Sequence, residues 1–402
     1  MILLFGILAI IGAFPAVPAQ NAQYTQLSVV RDYWPTNGWM NSTPREQGLN
    51  EQLLDEMMNQ IKTRGIRIDS ISIARNGYMV FDEYPSTLYD ADTEHIIHSC
   101  TKSYTSALVG IAIAEGYIPG VDSKLVDLLP NRTMDNLDSW KESVTLEDLL
   151  TMTSGFDWDE WTEPYESPEN SNNQMWNSGN PVQYYLDLPM VAEPGELWVY
   201  SSGGSHLLGA IVAEATGMSL LDYAEQELFT PLGISTSDVN WPADNQGYNY
   251  GSGGVYMLPR DMAKFGYLYL NNGSWDGEQI VPSEWVQTAA ETVTYFSEYA
   301  GYSHQWWTYL SDDVDVYSAV GFQGQNIFVI PALDMVVVFT SSVSPYEPYP
   351  QTAILFDYII PAAQNELSPQ DKTSTLLMVS MMIAIPLPII IGWSYYKIRT
   401  RG

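Results

Sequence analysis

Hydrophobic residues recur along the first third of the chain with two different periods, which predicts a helix, a hairpin and a second helix. Five apolar side chains recur at helical spacing in residues 49–63, which predicts an amphipathic helix. Residues 66–74 alternate, Asn76-Gly77 supplies a tight turn and residues 78–84 return, which predicts a β-hairpin. A second helical pattern, in small and apolar residues, covers Ser99 to Glu115.

The middle of the chain has a different pattern, in which short helical runs between about residues 124 and 245 are separated by loops. Gly155 to Trp198 is a long loop-rich tract that carries many aromatic residues. Loops of this length are often functional, and aromatic side chains in them commonly line pockets, although simple packing is an equal alternative for each ring.

Strand patterns return at residues 326–330 and 335–340 and are followed by a helical pattern at 352–363. The order sheet, helices, sheet predicts one α+β domain over residues 49–366, with the helical segment at 124–245 as an insertion. A cleft between the two parts would have Ser99 at its floor. Residues 20–48, rich in Pro, Asn and Gly, are predicted to form an irregular lead-in.

Apolar segments at both ends of the chain predict a protein held at a membrane. Residues 1–19 are uncharged and end in small residues, as in a secretory signal peptide, with an uncleaved N-terminal anchor as the alternative. After a linker at 367–374, residues 375–396 are long and apolar enough for a transmembrane helix. The basic residues of 397–402 predict a cytoplasmic tail, so the folded domain is expected outside the cell.

Composition narrows the class of protein. The chain has 402 residues, 46% of them hydrophobic and 13% aromatic, which excludes a disordered protein. Its net charge of −32, from 16 basic against 48 acidic residues, excludes nucleic acid as an expected partner because such a surface repels phosphate. Cys100 is the single cysteine, so no intrachain disulfide can form.

The start of the second helix carries candidate chemistry. Ser99 and Lys102 lie one helical turn apart on one face. A lysine that is kept out of water can lose its proton and then accept one from a serine hydroxyl, which makes the serine a nucleophile. The spacing alone is weak, since Ser394 and Lys397 repeat it near the C-terminus, and an ordinary buried helix start is the alternative.

Two later segments could complete such a site. Tyr200 lies at a predicted loop-to-helix junction, and a phenol close to a lysine ammonium can have its pKa lowered enough to act as a general base. Residues 321–325, Gly-Phe-Gln-Gly-Gln, lead into a predicted strand. The glycines let that strand approach a ligand closely, so a backbone N–H there could stabilise an oxyanion.

In this order, Ser99-x-x-Lys102, Tyr200-Ser-Ser202 and the glycine-flanked motif resemble the serine β-lactamase and penicillin-binding superfamily. The chain is most similar to the class C β-lactamase-like branch that includes esterases and 6-aminohexanoate-oligomer hydrolases. Segments 145–155, 231–234 and 253–263 carry the resemblance as well. It implies an α+β fold with an antiparallel sheet flanked by helices and an inserted, mainly helical subdomain.

The resemblance also implies roles for individual residues. Ser99 would be the acyl-accepting nucleophile, Lys102 its proton partner and Tyr200 the base that activates Ser99 and shuttles protons to the leaving group and from water. The backbone N–H groups of Ser99 and Gln325 would form the oxyanion hole. The implied reaction is a two-step hydrolysis through an acyl-enzyme, without a metal or organic cofactor.

At two positions the chain differs from the family pattern in ways that bear on which substrate it binds. Position 202 is Ser where many relatives have Asn, and position 322 is Phe where relatives carry a Lys or His that helps to bind a substrate carboxylate. The second change argues against an efficient β-lactamase and for an uncharged or bulky acyl group. The residues expected to bind substrate are Ser202, Phe322, Gln323, Gly324, Asp157 and Trp161.

These features predict a membrane-anchored extracytoplasmic serine hydrolase that cleaves a small-molecule or peptide-like ester or amide. Two alternatives stay open at this point. One is a D,D-peptidase or β-lactamase acting on cell-wall peptides or β-lactams. The other is a catalytically silent relative that serves as a binding or scaffold protein.

Overall fold

A computed structural model describes residues 31–311, 314–344 and 349–364. The predicted signal or anchor, the linker, the transmembrane helix and the cytoplasmic tail all lie outside these ranges. Within them, no single helix is both long and apolar enough to cross a membrane, and one bent helix pair, Ser202–Thr216 with Leu220–Leu232, satisfies that test by length and composition alone.

The strands are short at the edges of the fold and longer in its centre. In chain order they are β1 Ile68–Arg75, β2 Tyr78–Glu83, β3 His95–Ile96, β4 Val239–Asn240, β5 Tyr256–Met257, β6 Ser274–Trp275, β7 Glu278–Gln279, β8 Thr294–Tyr295, β9 Ala300–Tyr302, β10 Trp307–Tyr309, β11 Val316–Gly321, β12 Gln325–Ile330 and β13 Met335–Ser341.

One antiparallel sheet of eight strands forms the body, in the order β2-β1-β13-β12-β11-β10-β9-β8. The predicted hairpin of β1 and β2 is present, and its turn residues Asn76 and Gly77 both have positive φ, 53° and 89°, as this two-residue turn requires. In the centre of the sheet Val337 pairs with Ile73 on one side and with Phe328 on the other. Strands β3, β5 and β4 form a smaller sheet and β6 pairs with β7.

The helices vary from single turns to four turns. They are α1 Glu51–Arg64, α2 Thr101–Ala114, α3 Leu125–Leu128, α4 Leu146–Leu150, α5 Ser171–Asn177, α6 Pro181–Leu186, α7 Ser202–Thr216, α8 Leu220–Ala224, α9 Thr230–Leu232, α10 Pro259–Leu270, α11 Ser283–Ala290, α12 Gln351–Ile354 and α13 Ile360–Gln364. π-helical turns at Glu225–Phe229 and Leu355–Ile359 join α8 to α9 and α12 to α13.

Successive side chains on the central strands point to opposite faces of the sheet, and each face packs into a separate hydrophobic core. On β13, Val337 and Phe339 face the core that α1 and the C-terminal helices cover, whereas Val336 and Val338 face the core that contains α2, α7 and α10. Because both faces are covered, β13 is buried along its whole length. The sheet and its flanking helices confirm the predicted α+β class, and they set the start of α2 against the ends of β11 and β12.

Candidate active site

Ser99 lies in a short 3-10 turn, His98–Cys100, that leads directly into α2. Backbone hydrogen bonds hold the turn: Ile97 N–H donates to the carbonyl of Val255 at 2.8 Å, and Cys100 N–H donates to that of Ile97 at 3.1 Å. His98 has a φ of 47°, a conformation that is uncommon outside glycine and that often occurs at functional sites. Ser99 is therefore presented just before the α-helix and not within it.

Lys102 is buried beneath this turn, with 2% of its surface exposed. Its Nζ lies 3.0 Å from Ser99 Oγ, 3.0 Å from Ser202 Oγ and 2.8 Å from the backbone oxygen of Ser252. Burial lowers the pKa of Lys102 to about 8, against the opposing effect of the negative charge of Glu160. A substantial fraction of Lys102 is thus neutral in mildly alkaline solution, as a proton acceptor must be.

Glu160 is the residue of this cluster that the sequence analysis missed. Its side chain is buried and accepts four hydrogen bonds: from Ser202 N–H (2.6 Å), Ser202 Oγ (2.9 Å), Trp158 Nε1 (2.8 Å) and Tyr165 OH (3.0 Å). The available signal was an acidic residue flanked by Trp158 and Trp161 in the aromatic tract. It was weak, because loop carboxylates are usually exposed.

Tyr200 lies beside the Ser–Lys pair. Its hydroxyl is hydrogen-bonded with Ser99, and Lys102 Nζ is 4.9 Å from the centre of its ring. Burial raises the pKa of the Tyr200 phenol, and the charge of Glu160 raises it further, although the bond with Ser99 acts in the opposite direction. From the sequence, Lys102 was expected to lower this pKa. That expectation was wrong because the site excludes water and contains the unforeseen Glu160 carboxylate.

A group of six aromatic side chains, here called the aromatic wall, adjoins the site. Trp161 stacks on Tyr200 with ring centres 5.1 Å apart, Trp198 lies 4.6 Å from Phe296, and Tyr302 lies 5.1 Å from Trp307. Tyr200 and Tyr302 are buried, whereas the other four rings are partly exposed. The wall therefore offers an apolar surface next to Ser99. Its members are Trp161, Trp198, Tyr200, Phe296, Tyr302 and Trp307.

At the glycine-flanked motif, the end of β11 and the start of β12 lie against the 3-10 turn that carries Ser99, here called the nucleophile turn. The sulfur of Cys100 contacts the backbone oxygen of Gln325 at 3.5 Å. The Gln325 side chain is fully buried and bonds both the oxygen and the N–H of Ser341, at 2.6 Å and 3.1 Å. This side chain holds β12 to β13, so any part that Gln325 plays in catalysis belongs to its backbone N–H.

Close packing at this point requires glycine. A Cβ on Gly321 would lie 2.4 Å from the backbone oxygen of Ile97, which is too close for any real contact. We expect Gly321→Ala to push β11 from the nucleophile turn and to destabilise the fold by about 1–3 kcal/mol, with a loss of any hydrolytic activity larger than the loss of folded protein. Thermal unfolding and hydrolysis of a p-nitrophenyl ester measure the two effects.

Gly253→Ala is the matched control for this prediction. Gly253 is also next to the turn, but its Cβ would lie 3.7 Å from the backbone oxygen of His98, an ordinary contact. Wild-type activity in Gly321→Ala would contradict the tight packing described above.

Phe322 and Gln323 both contact His98, the residue that precedes Ser99. The Phe322 ring lies 5.6 Å from that of His98 and 5.4 Å from that of Tyr165. Burial lowers the pKa of His98 to about 4, and its hydrogen bond with Gln323 only partly opposes this, so the imidazole is neutral near pH 7. The side chains at this edge therefore present no positive charge to a bound substrate.

The structure thus brings together Ser99, Lys102, Tyr200, Ser202 and Trp161, all named from the sequence. Asp157 lies on the same loop as Trp161, with its N–H bonded to the carbonyl of Pro189. Burial raises the pKa of Tyr184, and the negative charge of Asp157 adds to that rise. A part for Asp157, Gln323 or Gly324 in substrate binding stays a prediction. Across the described ranges, no cluster of three or more His, Cys, Asp or Glu residues could hold a metal ion.

A serine hydrogen-bonded to a buried lysine, with a neighbouring tyrosine, on an antiparallel sheet flanked by helices, defines the class of site that the chain carries. Residues 50–357 match the sequence profile of the beta-lactamase family. The chain belongs to the beta-lactamase family, and the resemblance inferred from its motifs is confirmed.

Individual relatives within the family differ in what they act on. The chain is 25% identical to the 6-aminohexanoate-dimer hydrolase of Paenarthrobacter ureafaciens over 66% of its own length and 70% of that protein. It is 30% identical to the lovastatin esterase of Penicillium rubens over a shorter segment, 23% of this chain and 24% of that one. The family therefore includes hydrolases named for amide and for ester substrates.

Solved structures support the fold. A Bacillus anthracis protein provisionally described as a 6-aminohexanoate-dimer hydrolase superposes with a TM-score of 0.65 at 21% identity, covering 77% of this chain and 81% of that one. Sequence identity at this level supports a shared fold and does not identify the substrate.

Proposed function

We propose that the protein is a serine hydrolase that cleaves an uncharged ester or amide through an acyl-enzyme on Ser99. The observation that carries the proposal is the 3.0 Å contact between Ser99 Oγ and Lys102 Nζ, with Lys102 almost fully buried. Burial favours the neutral amine, and a neutral amine at this distance can take the serine proton.

In the acylation step, Lys102 accepts the hydroxyl proton while Ser99 Oγ attacks the substrate carbonyl carbon. The C=O double bond becomes a C–O⁻ single bond, which the N–H groups of Ser99 and Gln325 would stabilise. Breakdown of this intermediate expels the alcohol or amine, which needs a proton. The Tyr200 phenol is suited to donate it, because its raised pKa keeps it protonated.

Deacylation uses Lys102 as the base a second time. The ammonium of Lys102 returns a proton to Tyr200, which restores a neutral amine and a neutral phenol. A water molecule then attacks the ester carbon of the acyl-enzyme and passes one proton to Lys102, and Lys102 gives that proton to Ser99 Oγ as the C–O bond to Ser99 breaks. The net reaction consumes one water and releases one acid, with the site unchanged. In this account Lys102, and not Tyr200, is the base that activates Ser99.

The surroundings of Ser99 favour an apolar acyl or leaving group. The aromatic wall is partly exposed, and Phe322 contacts His98, the residue before Ser99. Aromatic side chains bind apolar groups by excluding water from both surfaces. The relatives named for amide and ester hydrolysis support the same reaction class without defining the substrate.

Substrate preference tests this part of the proposal. We expect Phe322→Lys to raise the ratio of kcat/KM for a carboxylate-bearing substrate over a neutral ester by about fivefold, since one partly shielded ion pair is worth about 1 kcal/mol. Nitrocefin and p-nitrophenyl butyrate provide the two measurements. Phe322→Leu is the control, because it keeps the side chain apolar, and its ratio should stay near that of wild type.

The experiment that tests the function compares turnover of a neutral ester, a neutral anilide and nitrocefin by the same purified protein. The proposal predicts hydrolysis of the ester or the anilide, with nitrocefin slowest. Fast turnover of nitrocefin would favour the β-lactamase or D,D-peptidase alternative. No turnover of any of the three, together with no labelling by a serine-reactive probe, would favour a binding or scaffold protein.

We further propose that the protein acts outside the cytoplasm, tethered by residues 375–396. The support is the sequence pattern of the two ends: an apolar segment at 1–19, and a C-terminal apolar segment followed by basic residues. Protease treatment of intact cells expressing the full chain should digest the folded domain and spare a short C-terminal fragment. Recovery of intact protein in the soluble fraction would contradict the tether.

A further inference from the structure

Glu160 has a hydrogen-bonding arrangement that the reaction described above leaves unused. Two of the donors on its carboxylate, Ser202 N–H and Trp158 Nε1, are N–H groups that share Oε2. The other two, the hydroxyls of Ser202 and Tyr165, share Oε1. An ionised carboxylate satisfies all four donors at once, and because it has no proton of its own, both hydroxyls must donate to it.

This fixes the direction of the next hydrogen bond. Ser202 has one hydroxyl proton, and Glu160 holds it, so only lone pairs of Ser202 Oγ face Lys102 Nζ at 3.0 Å. The backbone oxygen of Ser252, 2.8 Å from the same Nζ, can only accept. Lys102 must therefore donate to both groups, whatever its charge.

A neutral lysine has two N–H bonds and one lone pair. When both N–H bonds point to Ser202 and Ser252, the lone pair is left for the remaining neighbour, Ser99 Oγ at 3.0 Å. We propose that Glu160 is a positioning residue, which orients the Ser202 hydroxyl and thereby aims the Lys102 lone pair at the nucleophile. The inference rests on the proposed function, for which it supplies the step that prepares the base.

Glu160 also acts on Lys102 through its charge. Its negative charge raises the pKa of Lys102 against the dominant effect of burial, and Cys100 adds a smaller contribution in the same direction. The other titratable groups around the site are His98, Tyr165 and Tyr200, and all three are neutral near pH 7 because burial disfavours their charged forms. Removal of the Glu160 charge should therefore lower the pKa of Lys102.

Glu160→Gln separates positioning from charge and from simple packing. The amide oxygen must face Ser202 N–H and Trp158 Nε1, which can only donate, so the amide NH₂ faces Ser202 Oγ. The Ser202 proton then turns towards Lys102 and occupies its lone pair. We expect kcat for a p-nitrophenyl ester to fall about 10²-fold, the size of a general-base contribution, with KM little changed. The acidic limb of the kcat/KM profile should move to lower pH.

A double-mutant cycle with Ser202→Ala provides the decisive measurement. Ser202→Ala removes the intermediate hydroxyl, so it should lower kcat while the acidic limb keeps its position. With the hydroxyl absent, adding Glu160→Gln should cost less than about threefold more in kcat. Glu115→Gln is the control: it removes a carboxylate that also accepts from a tyrosine, Tyr223 at 2.7 Å, outside the site, and should leave kcat unchanged.

The possible results distinguish failure of this inference from failure of the proposed function. A wild-type protein that has no activity and is not labelled by a serine-reactive probe would contradict the proposed function. An active wild type in which Glu160→Gln keeps its kcat, or in which the two substitutions act additively, would overturn the positioning role alone. If Glu160→Gln does not fold, Ser202→Ala still decides the matter, because the proposal requires its kcat to fall in a folded protein.

Discussion

Ser99→Ala is expected to abolish ester hydrolysis, with a loss on the order of 10⁴-fold or more, the scale seen when a nucleophile acting with its base is removed. Without Oγ no acyl-enzyme can form, and Lys102 has no proton to accept. The partly exposed Ser99 packs little, so thermal unfolding should be close to that of wild type. Initial rates with a p-nitrophenyl ester and a melting curve measure the two properties.

Ser103→Ala is the matched control for that prediction. Ser103 lies in the first turn of α2, shortly after Ser99, and its buried hydroxyl donates to the backbone oxygen of Gln305 at 2.8 Å. We expect it to lose stability by about 1 kcal/mol, the worth of one hydrogen bond, and to keep its activity. If Ser99→Ala and Ser103→Ala had equal activities, the nucleophile would be misassigned.

Lys102→Met is expected to lower kcat/KM by about 10³-fold or more, because it removes the group that takes the Ser99 proton. Methionine retains most of the lysine length and suits a buried position, so the variant should fold. The kinetics of ester hydrolysis measure the loss. Intact-mass analysis then shows whether the remaining reaction still forms an acyl-enzyme.

The pH profile of the wild type gives this prediction a second, independent readout. The pKa of Lys102 is lowered to about 8, and the neutral form is the active one. The kcat/KM of the wild type should therefore rise with pH and level off above about pH 8. This rising limb of the pH profile should be absent from the residual activity of Lys102→Met. A limb of unchanged position in the variant would assign the titration to another group.

Lys141→Met is the control for burial of a lysine. Lys141 is as buried as Lys102, but its Nζ donates to three backbone oxygens, those of Asp135, Leu186 and Leu188. Removal of that amine leaves three carbonyls unpaired, so we expect lower stability with normal kcat in the folded fraction. The contrast between the two lysines separates catalysis from packing.

The sequence predicted the central elements because their local signals agree with their environment. The hairpin of β1 and β2 has the Asn-Gly turn and alternating residues that such a turn favours, and α1 has one apolar face over the sheet. The short strands β8, β9 and β10 were missed. Each has only two or three residues, too few for a period to be read, and their place in the sheet depends on partners distant in sequence.

The site was predictable as far as sequence spacing fixes it. Ser99 and Lys102 meet because the first turn of α2 joins them, and that geometry is local. Tyr200 was found from its place at a predicted loop-to-helix junction, and Ser202 through the family resemblance. Glu160 was not found, because its burial depends on Trp158 and Tyr165 closing around a loop carboxylate, which no local pattern indicates.

The pKa of Tyr200 is a clearer example of a property that local sequence patterns cannot predict. Its proximity to Lys102 was expected from the sequence and is present in the structure, but proximity predicted the wrong direction of the shift. Burial and the Glu160 charge raise this pKa, and both depend on the complete fold. This correction moves the role of base from Tyr200 to Lys102 in the proposed reaction.

Capture of the acyl-enzyme tests the central claim most directly. The folded protein is treated with a fluorophosphonate probe at pH 8, and the modified residue is located by peptide mass spectrometry, with Ser99→Ala beside it. The account predicts one modified residue, Ser99, with labelling that is lost in Ser99→Ala and slowed in Lys102→Met. Labelling at another serine, or none in a folded and monodisperse wild type, would contradict it.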